Sequence, residues 1–404
     1  MLDDLLVLEL ASVLAGPSVG QFFAELGATV VKIENPRTKG DVTRRWSAPN
    51  DEPPITDDDR SAYFCCCNHG KQSIALDLST ESGKDLLHDL VQNADVVLAN
   101  YRPGTAEALS ADYETLSAVA PGLIYGHITG YGTERERGGY DAVIQAESGF
   151  MHMNGSPDGP PTKLPVALMD VLAAHQLKEG LLLALLHRER TGDGTYVPVS
   201  LFQAAVSGLA NQATNWLVAG HSPQRMGSAH PNIAPYGTPY PTADDSSIVL
   251  AVGTDRQFES LCKVLERPGL ADDPKFSTNA DRVTHRTVLH ERLRPLIAGF
   301  DVDTLLADLH EHNVPAGKVR DIPAVFDQST AKAMTMGGDA TPAGLRQTAF
   351  PHPDGESPSL SPPPHYAEHT VDILREQLRL SGRQIHTLSG QNVVERPNPP
   401  GSEA

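Results

Sequence analysis

Cysteine is scarce in this chain, and the few cysteines present do not form a metal-binding pattern. Among 404 residues there are four: Cys65, Cys66 and Cys67 are adjacent, and Cys262 stands alone. Three adjacent residues cannot by themselves supply a tetrahedral zinc site, and no CxxC pair occurs, so we predict no metal centre. The pattern instead predicts reduced, buried thiols in a cytoplasmic protein.

Positive charge is also in short supply. The chain has 32 Lys and Arg residues against 51 Asp and Glu, for a net charge of −19. This excess of acid argues against nucleic acid as a main partner. The longest apolar runs are interrupted by charges or glycine, and the acidic first residues, MLDDLLVLEL, lack the basic region of a signal peptide. We therefore expect no membrane partner either.

What the chain does have is a regular alternation of short apolar strands with helices. Residues 5–11 and 28–34 are typical of buried parallel strands, and residues 18–26 between them have helical character. Further strands are predicted at residues 73–78, 95–100 and 123–129. The alternation predicts an α/β fold with an open, mainly parallel sheet that holds ligands at the carboxyl ends of its strands. The loop after the first strand is not GxGxxG, which disfavours a dinucleotide site.

One acid stands out in the apolar stretch of residues 159–186. That stretch begins as a turn rich in glycine and proline and continues as a long apolar run that predicts a buried helix. Asp170 lies at the junction. Its carboxylate is either a helix N-cap, which accepts hydrogen bonds from unpaired backbone N–H groups, or a catalytic group beside a dry pocket, where it would be a better nucleophile than in water. The local pattern leaves both interpretations open.

Short motifs elsewhere in the chain follow one another in a characteristic order. They include LAGP at residues 14–17, NYRPG at 100–104, GYG at 130–132, GYD at 139–141 and GSAHP at 227–231. Each motif is weak alone. Together, over nearly the whole chain, their order and spacing resemble the class III CoA-transferases of the CaiB/BaiF type. That family also holds the α-methylacyl-CoA racemases and the carnitine CoA-transferases.

The resemblance implies a particular architecture. It implies a Rossmann-like large domain made from both ends of the chain, a smaller α+β domain inserted late, and two ring-shaped subunits interlocked as a homodimer. With the change in composition near residue 221, we expect the large CoA-binding domain in residues 1–220, the small domain with its linkers in 221–330, and a C-terminal return to the large domain in 331–404.

The resemblance also implies a nucleophile and its surroundings. Asp170 matches the aspartate that forms an aspartyl-CoA thioester in the transferases of the family, with Asp141, Tyr140, Gly227 and His230 as candidate supporting residues. No permanently bound cofactor is implied, because CoA thioesters are substrates. The residues that match the family's CoA site are Val13, Leu14, Ala15, Lys71, Leu76, Asn100, Tyr101, Arg102 and Tyr140. Asn35 stands where some members place an arginine against the adenine.

The choice of substrate rests on the same resemblance. The chain is most similar to the branch that uses succinyl-CoA with a dicarboxylate such as mesaconate, glutarate or citramalate. The far carboxylate needs a cation or several hydrogen-bond donors. The candidates are Arg44, Arg45, His152, Arg225 and His230. The alternatives are racemase-type proton transfer with Asp141, disfavoured because Tyr140 replaces the histidine of the racemase Gly-His-Asp motif, and CoA binding without catalysis.

Overall fold

The structure is a computed structural model that describes residues 1–47, 59–338, 341–350 and 359–397. The chain divides into two compact units. The large unit consists of Met1–Ser148, Pro165–Leu209 and Lys332–Ala404, and the small unit consists of Gly149–Leu164 and Ala210–Ala331. The sequence-based ranges 1–220, 221–330 and 331–404 stay predictions. Of the helices described, none is long and apolar enough to cross a membrane.

Strands and helices alternate through the first part of the chain, as the sequence predicts. The described strands are β1 (Leu6–Glu9), β2 (Thr29–Glu34), β3 (Lys71–Leu76), β4 (Val96–Ala99), β5 (Ile124–Thr129), β6 (Thr195–Ser200), β7 (Tyr236–Pro241), β8 (Ser247–Ala251), β9 (Ala316–Lys318), β10 (Thr335–Gly338), β11 (Thr341–Leu345) and β12 (Val394–Glu395). The described helices are α1 (Ala15–Glu25), α2 (Ala62–Cys65), α3 (Glu81–Val91), α4 (Thr105–Ala108), α5 (Tyr113–Val119), α6 (Asp141–Glu147), α7 (Phe150–Met153), α8 (Leu168–Thr191), α9 (Leu201–Gly208), α10 (Ala210–Ala219), α11 (Asp255–Val264), α12 (Asn279–Thr284), α13 (Arg286–Ile297), α14 (Val302–Glu311), α15 (Ile322–Phe326), α16 (Ser329–Lys332), α17 (Thr370–Glu376) and α18 (Gly382–Gly390).

The large unit is built on one sheet in the order β12-β3-β2-β1-β4-β5-β6. The pairings from β3 through β6 are parallel, and β12 runs antiparallel to β3 at the edge. The order reverses beside β1, since β2 lies on one side of it and β4 on the other. Loops after β1 and β4 therefore leave the sheet at a topological switch point, where open α/β sheets bind their ligands. The α/β prediction is confirmed.

Helix α1 begins earlier than the sequence pattern indicates. The apolar spacing predicts a start at Ser18, but the helix begins at Ala15, directly after a loop at the end of β1. Pro17 lies in its first turn, where the missing N–H group is not needed for an intrahelical hydrogen bond. As a result, the LAGP motif forms the helix start itself and not a separate turn.

Helix α8 carries Asp170 and packs against α1, α9, β5 and β6. Its inner face, including Ala173, Leu177 and Leu181, is buried. The helix predicted to be buried exposes its opposite face in the single chain, where Leu183 is 67 % exposed. Because the run LLLALL is apolar on all sides, the sequence could not show that only one face of the helix meets the sheet.

The small unit has its own apolar core. Strands β7, β8 and β9 form an antiparallel sheet in that order. Side chains from α11, α13 and α14, among them Phe258, Leu293 and Leu305, pack against the sheet. Arg282 is fully buried there and is satisfied by the carbonyl oxygens of Ala234 and Phe276, with an ion pair to Asp255. This is an α+β arrangement.

Candidate active site

A cleft of about 170 Å³ opens at the carboxyl ends of β1, β4 and β5 in the large unit. Residues 12–15, 100–103, 128–130 and 137–141 line it, together with Asp170 and Leu201. It brings together most of the residues predicted for the nucleophile and the CoA site. The predicted residues that line it are Val13, Leu14, Ala15, Asn100, Tyr101, Arg102, Tyr140, Asp141 and Asp170.

Asp170 lies in the first turn of α8 but does not cap that helix. The N-cap residue is Ala167, and the helix has no side-chain cap of its own. Across the described ranges, no N–H or O–H group is seen to donate a hydrogen bond to the Asp170 carboxylate. Burial raises the pKa of Asp170 to about 7, and the nearby charge of Asp141 adds to the effect. The N-cap interpretation of this residue is therefore wrong.

Asp141 supplies the hydrogen bond that α8 lacks. Its Oδ1 accepts a hydrogen bond from the backbone N–H of Met169 at 3.0 Å, and its Oδ2 accepts one from Nε2 of Gln145 at 2.8 Å. The side chain is buried although Asp141 is the first residue of α6. Asp141 thus stabilises the start of the helix that carries Asp170, since unpaired N–H groups at a helix start favour a carboxylate.

The loop after β1 is held to the loop after β4 by one side chain. Asn100 Nδ2 donates to the carbonyl oxygen of Ser12 at 2.7 Å, and its Oδ1 accepts from the Ser12 N–H at 3.0 Å. Both polar groups of the Asn100 amide are therefore used within the protein. They fix two walls of the cleft relative to each other.

His127 holds the second of these loops from below, a role that its sequence context does not show. Its Nε2 donates to the carbonyl oxygen of Tyr101 at 2.9 Å, and Nδ1 accepts from the Tyr196 hydroxyl at 2.8 Å. Burial lowers the pKa of His127, so the ring stays neutral at physiological pH, as this hydrogen-bond pattern requires. The residue packs in the core and also positions the Tyr101 backbone.

Tyr63, on α2, is a second residue that sequence reasoning did not identify. Burial raises the pKa of its phenol above the usual range, and the charge of Asp170 contributes to the rise. The phenol therefore stays protonated in the electrostatic neighbourhood of the candidate nucleophile. No sequence motif includes Tyr63, and it lies too far from Asp170 along the chain for a local pattern to connect the two residues.

Two residues predicted to contact CoA are not found in the cleft lining. Lys71 is fully buried, and its ammonium group contacts Glu9 Oε2 at 2.7 Å and the oxygen atoms of Pro17 and Asn68 at 2.8 Å. Leu76 lies in the apolar core beneath the sheet. Since all three donors of the Lys71 ammonium already have acceptors, the structure offers no support for its binding CoA phosphates.

Gly227 and His230 belong to the small unit. Gly227 has a φ of +61° and donates its N–H to the carbonyl oxygen of Gly155 at 2.9 Å. The His230 ring lies 4.9 Å from the Tyr236 ring, and its Nδ1 accepts from the Asn232 N–H. Burial lowers the pKa of His230, with a further contribution from the charge of Arg286. The predicted supporting roles of Gly227 and His230 stay predictions.

The arginines proposed for a far carboxylate differ in their availability. Arg44 is buried and forms an ion pair with Glu34 at 2.6 Å, so it is not available to a substrate. Arg45 donates to the carbonyl oxygen of Thr38, and Arg225 to that of His152. Asn35 accepts a hydrogen bond from the Arg37 N–H at the start of a short 3₁₀ turn.

The chain is similar to known proteins over most of its length. The family model described as CoA-transferase family III matches residues 2–370 of this chain. The chain belongs to CoA-transferase family III. It is therefore an enzyme of the CoA-transferase class, and the cleft at Asp170 is its candidate active site.

Relatives of this CoA-transferase, and solved structures similar to it, cover nearly its whole length. It is 37 % identical to the succinate–glutarate CoA-transferase of Agrobacterium fabrum, over 93 % of this chain and 95 % of the relative. It is 36 % identical to the succinyl-CoA:mesaconate CoA-transferase of Haloarcula hispanica, over 93 % and 96 %. The crystal structure of a CAIB/BAIF family protein from Brucella suis superposes with a TM-score of 0.81 at 40 % identity, over 93 % of this chain and 99 % of that one.

The chemistry open to this site depends on carboxylates. Within the parts of the chain that the structure describes, no group of three or more His, Cys, Asp or Glu side chains could hold a metal ion. The cleft offers one half-buried carboxylate with a raised pKa, a second carboxylate bound at a helix start, and the guanidinium of Arg102. Such a set suits acyl transfer to and from Asp170.

Proposed function

We propose that this CoA-transferase moves CoA from succinyl-CoA to a dicarboxylic acid such as mesaconate, glutarate or citramalate through an aspartyl-CoA thioester on Asp170. The observation that carries the proposal is the Asp170 carboxylate, which lines the cleft and is seen to accept no hydrogen bond from the described residues. A carboxylate without donors is more basic and more nucleophilic than one in water. The names of the Agrobacterium fabrum and Haloarcula hispanica relatives support the substrate class.

The reaction needs no other reagent. The Asp170 carboxylate attacks the thioester carbonyl of succinyl-CoA, and the C–S bond breaks to give a mixed anhydride and CoA thiolate. The thiolate attacks the aspartyl carbonyl, which releases succinate and leaves the aspartyl-CoA thioester. The acceptor carboxylate then attacks this thioester, and the released thiolate attacks the acceptor carbonyl of the new anhydride, which restores Asp170. One thioester replaces another of similar energy, so ATP is not consumed.

Binding of CoA is assigned to the cleft walls at Val13, Leu14, Ala15, Tyr101 and Tyr140, with Asn100 acting through the Ser12 peptide. Arg102 supplies a cation: its guanidinium lies 3.0 Å from the position that a Cβ on Gly138 would occupy. Among the described residues no ion pair to Arg102 is seen, which leaves it available for a phosphate or carboxylate group. Lys71 and Leu76 are not included.

The racemase alternative is less well supported by the geometry of Asp141. Both of its oxygen atoms accept hydrogen bonds, from the Met169 N–H and from Gln145. These bonds fix the side chain at the start of α8, which is a structural use of the carboxylate. The observation favours a structural and electrostatic role for Asp141 next to the nucleophile.

We also propose that the enzyme acts as a cytoplasmic homodimer. In the large unit, α8 exposes a row of leucines, with Leu182 at 43 %, Leu183 at 67 % and Leu186 at 47 % exposure. An apolar row of this kind on a helix otherwise packed into the core is typical of a surface covered by another subunit. Light scattering should give the mass of two chains, and a stable, active monomer would contradict the proposal.

The reaction class is tested with two assays on the same protein. Succinyl-CoA is incubated with a panel of dicarboxylates, and a 2-methylacyl-CoA is incubated in heavy water. We expect CoA transfer to at least one acid and no deuterium at the α-carbon. After succinyl-CoA is added, hydroxylamine should convert the activated Asp170 carboxyl to a hydroxamate, or borohydride should reduce it to an alcohol, with release of CoA in each case. Deuterium incorporation without transfer to any acid would replace the transferase assignment with the racemase one.

A further inference from the structure

Val13 has an unusual backbone conformation at the wall of the cleft. Its φ is 73°, in the left-handed region, although it is a β-branched residue. Branching at Cβ makes this region costly, and such outliers persist only where surrounding contacts hold them. Val13 lies two residues before α1 begins at Ala15, so its conformation sets the direction in which the chain enters the helix.

The peptide groups on both sides of Val13 form hydrogen bonds with buried side chains. Its N–H lies 3.3 and 3.2 Å from the two carboxylate oxygens of Asp41. Its carbonyl oxygen accepts a hydrogen bond from Sγ of Cys67 at 3.7 Å. Asp41 and Cys67 are both buried, so water does not compete for these contacts.

Among the described residues, the groups seen to contact the Asp41 carboxylate are hydrogen-bond donors. Besides Val13, Oδ1 accepts from the N–H of Thr43 at 3.0 Å and from its hydroxyl at 2.8 Å, and Oδ2 pairs with Lys32 at 2.9 Å. Burial by itself disfavours the charge, but Lys32 and these hydrogen bonds outweigh it and lower the pKa of Asp41. Asp41 is therefore ionised throughout the physiological range.

Asp41 is connected to the sheet through Lys32. Lys32, on β2, also contacts Glu9 of β1 and the carbonyl oxygen of Ala11, both at 2.9 Å. Glu9 in turn pairs with Lys71 of β3. Helix α1 lies directly on this network, since a Cβ built on Gly20 would fall 1.9 Å from Glu9 Oε2. The charges thus tie three strands to the start of the helix.

We propose that Asp41 is a positioning residue for CoA binding: its carboxylate holds Val13 in the left-handed conformation and so fixes the loop of residues 12–15 as a wall of the cleft. The proposal rests on the proposed function to the extent that this loop contacts CoA. Asp41 itself does not line the cleft, and it acts through the Val13 backbone.

The test uses Asp41→Asn, alone and combined with Val13→Gly. An asparagine has one acceptor oxygen and turns its NH₂ group toward a donor, so it cannot satisfy Val13, Thr43 and Lys32 together. Glycine adopts a positive φ without steric cost. We expect Asp41→Asn to weaken binding of free CoA, measured by calorimetry, and to lower kcat/KM by about 10- to 100-fold. Because Val13 also lines the cleft, the rescue is measured against Val13→Gly alone: in that background Asp41→Asn should change both quantities by less than about threefold.

Rescue separates positioning from general destabilisation. A glycine in place of valine loosens the unfolded chain and removes packing, so it would worsen a variant that was merely less stable. The matched control is Asp41→Asn combined with Asp245→Gly, because Asp245 also has a positive φ, 58°, but lies exposed in the small unit. That control should rescue nothing.

The outcomes are distinct. Wild-type CoA affinity in Asp41→Asn, or a folded variant that Val13→Gly fails to rescue, overturns the proposal. If Asp41→Asn does not fold, Thr43→Val takes its place, since it removes the hydroxyl that donates to Asp41, and the same rescue is required. Binding of CoA does not need Asp170 chemistry, so this result is independent of whether Asp170 proves to be the nucleophile.

Discussion

Two acids of the large unit, Asp170 and Asp41, show how differently the same side chain behaves in two surroundings: Asp41 is the more buried, yet its pKa is the lower. Neither is well exposed, and burial alone works against ionisation in both. Around Asp41 lie a lysine and several N–H and O–H donors, and its pKa is lowered. Asp170 has the negative Asp141 nearby, and its pKa is raised to about 7. The supply of donors, more than the extent of burial, decides which acid has a lowered pKa and which a raised one.

The difference corresponds to the position of each acid in the fold. Asp41 lies beneath the loop after β1, where Lys32 reaches it from β2. Asp170 lines the cleft from the first turn of α8, and the N–H group of Met169, the residue before it, donates to Asp141. The loop of residues 12–15 thus has Asp41 on one side and shares the cleft lining with Asp170.

The largest effect is expected from Asp170→Ala. If this carboxylate is the nucleophile, CoA transfer should fall at least about 10³-fold while circular dichroism and the melting temperature show a folded chain. The matched control is Asp193→Ala, at the exposed turn that follows the same helix, and it should retain wild-type transfer. Transfer by Asp170→Ala near the wild-type rate would rule out the covalent mechanism.

Removing the cation at Asp41 should have the next largest effect. Lys32→Met leaves Glu9 and Asp41 buried without their shared partner, and loss of one member of a buried ion pair costs about 3–5 kcal/mol of unfolding free energy. Denaturant unfolding measures the change. Lys84→Met, which breaks the pair with Glu81 on the surface of α3, should cost less than about 1 kcal/mol. Equal losses would show that the Lys32 network adds nothing beyond a surface pair.

Asp170→Asn should stabilise the fold at neutral pH. The pKa of Asp170 in the folded chain, about 7, lies above that of an unfolded aspartate, so its charge opposes folding fully above pH 7 and not at all below about pH 4. Allowing for partial solvent access, we expect a gain of about 1–2 kcal/mol at pH 8 that disappears toward pH 4. A gain that is the same at both pH values would contradict the raised pKa.

The smallest effect is expected from Asp141→Asn. The amide oxygen can still accept from the Met169 N–H, but the like charge beside Asp170 is gone. The acid limb of the kcat/KM profile is expected near pH 7, because the nucleophile must be ionised. In Asp141→Asn the midpoint of this limb should move to lower pH, but only by a small amount. Burial is the larger cause of the raised pKa and remains. An unchanged or higher midpoint would contradict the contribution of the Asp141 charge to the raised pKa of Asp170.

Several features follow from the sequence because they depend on local or periodic patterns. Alternating apolar strands and helices predict the parallel sheet, and the switch from a Gly/Pro-rich turn to an apolar run predicts α8 with Asp170 in its first turn. The ordered motifs from LAGP onward indicate the family that the comparisons show. These features can be predicted because the periodicity of helices and strands is a local property of the sequence and does not depend on contacts between distant residues.

Contacts between distant parts of the chain are what the sequence could not supply. Asp141 caps a helix that begins 27 residues later, which no local rule for N-caps detects. The hydrogen bond between Val13 and Asp41 joins residues 28 positions apart. Lys71 does not line the cleft, because its ammonium group contacts Glu9 and two further oxygen acceptors. The sequence determines which carboxylates and cations exist. Only the packing of strands and loops decides which acid receives donors and which does not, because donors come from residues distant in the sequence.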